Sequence, residues 1–161
     1  MTRLPLLTLL ALTSCTVSRP TATEHYQAEG VTVVLAVRSG EASGVLAGEL
    51  LTIEPGAFLV DAVNQIGEPV RVVRVPMRDI QRGAAYSGRA PRGEFRSVTQ
   101  PPPGMRRVAR LGSAGQARRV DLQSLSRFPY GVPHEALARI LDARVQTEVA
   151  DLGFAPLRSS Y

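Results

Sequence analysis

Three observations predict an α+β chain, in which a small antiparallel sheet is followed by helices. Five short apolar or alternating runs lie between residues 31 and 81, with turn-forming residues in every gap. A stretch rich in Gly, Pro, Ser and Arg occupies residues 83–104. Beyond it, apolar residues recur at helical rather than alternating spacing. The expected layout is an apolar leader at 1–14, a tether at 15–30 and a five-stranded, barrel-like antiparallel sheet at 31–82. A linker at 83–112 and a helical tail at 113–161 complete it.

The strands are expected at 31–38, 45–53, 57–62, 70–75 and, as a short fifth, 77–81. Ser39-Gly40, Glu54-Pro55-Gly56, the run 64–67 and Pro76 supply the positive or fixed φ that tight connections need. Strict alternation in the second strand puts Val45, Ala47, Glu49 and Leu51 on one face, and Leu46, Gly48, Leu50 and Thr52 on the other. Gly48 has no side chain to pack, so it predicts a bend or bulge, the alternative being close approach of a neighbouring strand.

Leu35, Gly40, Gly48, Leu50, Glu54, Phe58, Val60 and Ile80 together resemble the pattern of Sm-like and SH3-like small barrels. Sm-like kinship implies RNA binding through polar loops after the third and fourth strands, here 61–67 and Pro76-Met77. The Asn-bearing and Arg-Gly-bearing signatures of those loops are missing. The resemblance therefore implies the fold without the RNA function.

Residues 1–15 carry one positive charge at Arg3, an apolar run at 4–12 and small residues leading into Cys15. The run suits a signal-peptide core and falls short of the roughly 20 residues of a spanning helix. It resembles the lipobox of bacterial lipoproteins, which implies cleavage before Cys15 and lipidation of its thiol and new amino group. An ordinary secretory signal with an incidental cysteine is the alternative. Lipidation of Cys15 would make membrane lipid the first partner and the cell envelope the location. Thr16 in place of aspartate points toward the outer membrane. Cys15 is the single cysteine, so once lipidated no thiol remains for catalysis, metal or disulfide.

The 19 basic residues are all arginine, which excludes lysine chemistry: Schiff bases, Ser-Lys dyads and P-loop phosphate contacts. Charge is uneven along the chain. Two arginines face six acidic residues over 19–67, whereas thirteen face four over 68–128. Arg71, Arg74, Arg78 and Arg82 are the expected contacts to an anionic surface or an envelope protein, and further arginines continue through the linker, whose bland reading is a solvated basic segment. Only Tyr86 and Phe95 could stack on bases there, so nucleic acid is not favoured.

In the tail, Val120, Leu122 and Leu125 suggest a helix over 116–126, and 125–131 a packed corner. Pro133 suits the first turn of a second helix, with Leu137, Ile140, Leu141 and Val145 on one stripe. His134 can be drawn near Ser124, Ser126 and Asp121, but no nucleophile elbow supports a catalytic set, and His25 lies in the tether. No metal-ligand spacing and no cofactor motif is present. The chain is thus expected to be a non-enzymatic, lipid-anchored envelope protein acting as a structural or interaction module. The alternative is an Sm-like, nucleic-acid-binding barrel.

Overall fold

Apolar alternation and turn chemistry build most of what is seen in the computed structural model, which describes residues 29–63, 69–87, 104–115 and 119–152. Cys15 and the leader, the 64–67 turn, most of the linker and the last nine residues lie outside the described residues. Seven strands form one sheet: β1 (Thr32–Ser39), β2 (Ala42–Glu54), β3 (Ala57–Val63), β4 (Pro69–Pro76), β5 (Ile80–Ser87), β6 (Arg106–Leu111) and β7 (Ala150–Asp151). Their order across the sheet is β6-β5-β1-β2-β3-β4-β7, with only the β4–β7 pairing parallel. Gly40 and Gly56 hold the β1–β2 and β2–β3 turns at φ of 60° and 83°, where a side chain would be strained.

A single 3₁₀ turn, Met77–Asp79, leads from β4 to β5. In a flat sheet those strands would stand four spacings apart, about 19 Å. Four residue steps reach at most about 14 Å when fully extended. The sheet must therefore curl, and its concave face encloses the main core: Val33, Leu35, Val37, Leu50, Phe58, Val60, Val73, Val75 and Ile80.

This architecture corrects the expected five-stranded barrel. The sheet has seven strands and is open, because β4 and β5 share a turn but no ladder. The short fifth strand is also misplaced. Residues 77–79 form the 3₁₀ turn, and the strand proper runs on to Ser87, into the stretch read as linker. The same stretch yields β6.

Gly48 owes its place to close approach. A Cβ there would fall on the Asp61 carbonyl oxygen and within 2.8 Å of the Ala62 backbone. The register irregularity of this strand pair comes later, between Leu50 and Thr52. It turns Leu51 and Thr52 to the same convex side and returns Ile53 to the core, so strict alternation of Leu50 and Thr52 fails.

The expected helical tail is corrected as well. Two short helices, α1 (Arg119–Ser124) and α2 (His134–Ala143), flank a corner, and the chain then rejoins the sheet as β7. Leu141 is buried and Leu137 and Ile140 pack beside it against Leu51, Leu59, Val72 and Phe128. Val145 leaves the stripe: the helix has ended, its φ is 54°, and it is 96% exposed. The corner is stitched into the sheet where β1 runs out. Arg127 N–H donates to Leu50 O at 3.0 Å, Phe128 N–H to Leu51 O at 2.8 Å, and Thr52 Oγ1 to Phe128 O at 2.8 Å. Gly30 fits between Leu50 and Arg127, where any Cβ would overlap backbone.

Candidate functional site

Two charged features stand on the convex side of the sheet, and both are made by strand register. The first is an arginine row. Arg110 on β6 lies opposite Ala84, and Arg107 opposite Tyr86, because the β5–β6 ladder skips Val108. In regular strands residues 107 and 110 would face opposite ways; the bulge turns both to one face. On β5, Arg82 lies opposite Ala36 of β1, and Arg38 is two residues further along β1 on the same face. Val34, Ala36, Ala84 and Tyr86 form a packed apolar floor on that face. Diagonal neighbours on adjacent strands stand about 7–8 Å apart, so Arg110, Arg82 and Arg38 make an oblique row with Arg107 beside it. All four are exposed, and none has an ion pair among the described residues. Tyr86 is wholly buried, and that burial raises its phenol pKa although the Arg107 charge works to lower it.

The four arginines singled out in the sequence do not form one patch. Arg74 is taken by Glu54 at 3.0 Å and Asp151 at 3.6 Å, and those partners raise its pKa. Arg78 sits on the 3₁₀ turn beside Asp79 at 3.7 Å. Arg71, opposite Ala62, belongs to the other face of the sheet from Arg74. Only Arg82 joins the row. Arg38, Arg107 and Arg110 complete it, and no sequence periodicity marks them because bulges are invisible to alternation.

The second feature is a pair of carboxylates. Glu49 on β2 lies opposite Asp61 on β3, which places two acids side by side on one face. The tail supplies a guanidinium to each. Arg144 grips Asp61 through Nε–Oδ1 at 3.0 Å and Nη2–Oδ2 at 2.7 Å, with the Asp61 side chain only 8% exposed. Arg127 approaches Glu49 at 3.6 Å while its Cζ lies 5.5 Å from the Phe128 ring centroid. Glu49 also accepts the Gly30 N–H at 2.7 Å. Burial nevertheless raises the Glu49 pKa, helped by repulsion from Asp61 and opposed by the Gly30 bond and Arg127. The Asp61 bond raises the Arg144 pKa. These pairs fasten the tail to the sheet across its middle.

A cleft of about 370 Å³ opens between the β2–β3 turn and the corner, lined by Thr52, Glu54, Gln123, Tyr130, Val132 and Leu137 among others. Its polar groups are engaged internally: Thr52 with Phe128 O, Glu54 with Arg74, and Gln123 Nε2 with Pro129 O at 2.7 Å. The Ser126 hydroxyl is buried and donates to Gln123 O at 2.6 Å, while His134 is exposed at the start of α2. The Ser126 hydroxyl is thus spent on the backbone rather than on His134. Among the described residues no helix is long and apolar enough to cross a membrane. Comparison of the chain with protein-family models, with curated proteins and with solved structures finds no match.

Proposed function

We propose that the protein is a non-enzymatic, lipid-anchored protein of the cell envelope whose curled sheet is an interaction module with a cationic face. One observation carries the module: on the convex side of the sheet the arginines divide by location. Arg71, exposed and without a carboxylate partner among the described residues, lies on the concave face. On the tail side, Arg74, Arg127 and Arg144 each meet a carboxylate on another element. On the β6–β5–β1 side, Arg38, Arg82, Arg107 and Arg110 meet none among the described residues. Arginines used for internal ties are neutralised locally, whereas an unpaired row on rigid strands keeps its field for an outside partner. The lipobox-like run ending at Cys15 supports the anchor. The Sm-like, nucleic-acid reading has less behind it, since Tyr86 lies buried beneath the row instead of offering a face to a base.

Metabolic labelling with a clickable fatty acid tests the anchor. Wild-type protein should be labelled and recovered with membranes, and Cys15→Ser should lose the label and accumulate as precursor or soluble protein. Equal labelling of the two would refute lipidation at this residue.

A further inference from the structure

The two margins of the sheet are finished differently. At the β4 margin the Gln146 side chain imitates a peptide group: Val72 N–H donates to its Oε1 at 2.6 Å, and its Nε2 donates to Val72 O at 3.2 Å. The next residues pair with β7, and Leu152 N–H then donates to Arg74 O at 3.1 Å. That edge is covered. At the other margin, among the described residues, β6 pairs with β5 alone. Among the described residues β6 makes no backbone hydrogen bond beyond its ladder with β5. Arg106, Arg107, Val108 and Arg110 are exposed along it. An edge left unpaired among the described residues is a template for one more strand.

The side chains select what can pair there. A second copy of β6 would set arginines against arginines, and like charges opposite one another destabilise a strand pair. An acidic strand reverses the sign. We propose that the β6 edge accepts, by strand addition, an extended segment of a protein partner bearing carboxylates at alternate positions. The inference rests on reading the domain as an interaction module. Arg107 and Arg110 face the same side and stand opposite Tyr86 and Ala84, two register positions apart. Alternate residues of an added strand present their side chains at that same interval. Arg82 and Arg38 extend the positive field inward across the sheet, which speeds encounter with an acidic segment and fixes its sidedness. Backbone hydrogen bonds would then supply affinity, with the arginines supplying choice of partner.

The test is fluorescence anisotropy with the purified full chain in detergent and labelled hexapeptides. The acidic probe alternates Glu and Val; the control alternates Lys and Val. Two further acidic probes are N-methylated on alternate amides, one in each register, which keeps the charge and removes one edge's donors. Binding should be confined to acidic probes and weakened by salt. One N-methyl register should bind at least about tenfold more weakly than the unmodified peptide. Arg107→Glu with Arg110→Glu should abolish binding at an unchanged melting temperature; if that pair melts early, Arg107→Gln with Arg110→Gln serves the same purpose. Equal binding of all acidic probes would show diffuse charge attraction and overturn strand addition. So would sedimentation with phosphatidylglycerol vesicles in the absence of any peptide binding. Failed labelling at Cys15 would remove the anchor and leave the peptide result readable by itself.

Discussion

Arg144→Ala isolates the tie between tail and sheet. Asp61 is almost wholly out of water, and both its oxygens take hydrogen bonds from one guanidinium at 3.0 and 2.7 Å. Removing the cation leaves a buried carboxylate beside a second one, Glu49, directly across the strand pair. Loss of one partner of a buried, hydrogen-bonded pair costs roughly 3–5 kcal/mol, and the 23% exposure of the Arg144 side chain argues for the lower end, about 3 kcal/mol. Against a total of about 5–15 kcal/mol this is a large share. It corresponds to roughly 10 °C in melting temperature for a domain of this size. Urea titration followed by far-UV circular dichroism measures it. Arg139→Ala, which breaks an exposed helical pair with Glu135 at 3.8 Å, is the internal control and should change stability within error. Replacing both partners, Asp61→Leu with Arg144→Met, should cost less than Arg144→Ala alone, because no charge is stranded. A loss below about 1 kcal/mol for Arg144→Ala would mean that the pair behaves as a solvated surface contact, and the tie would lose its structural role.

Leu50→Asp puts a charge into the concave core, where Leu50 is 0% exposed; the cost of several kcal/mol should unfold the domain, and an unaltered melting curve would refute the facing assigned to β2. For Glu49, whose folded pKa is raised chiefly by burial, the folded state holds its proton at pH values where the unfolded chain has released it. Its contribution to stability is therefore greatest below the unfolded carboxylate pKa, about 4.3, and declines as pH rises through the raised folded value. Glu49→Gln should flatten that part of the stability–pH curve, and an identical slope in both proteins would contradict the assignment. Gln146→Ala strips two hydrogen bonds from Val72 and should cost about 1–2 kcal/mol while increasing self-association through the uncovered β4 edge, checked by light scattering.

The first four strands were legible because bulky β-branched runs alternate with Gly- and Pro-bearing segments, and both signals are local. β5 escaped beyond Gln81 because Gly83, Ala84 and Ala85 look like linker. They are small since the strands crowd there, with a Cβ on Gly83 meeting Leu35 at 2.8 Å. β6 escaped because half of RRVARL is arginine, and only pairing with β5 reveals the strand. The arginine row was hidden for a related reason: its members come from three strands, and bulges at Val108 and Gln81 decide which way they face. Partnering of Arg74 by Glu54 and Asp151, which removes it from any free basic patch, depends on register and on β7, and neither can be read from spacing along one segment. Corner and second helix were anticipated in outline because Pro129, Gly131 and Pro133 punctuate them.

The stitching of Arg127 and Phe128 onto Leu50 and Leu51 also fixes an order in time. The Leu50 and Leu51 carbonyls at the far end of β2 wait for donors 77 positions later in the chain. Closing so long a loop before any reward is slow, and the hairpins formed earlier remain edges without their final cover. A nascent chain that has not yet delivered its corner should stay open and threadable. Ribosome-stalled chains ending before residue 119 should be cut rapidly by protease, and chains extended past residue 152 by a linker that clears the ribosome should resist.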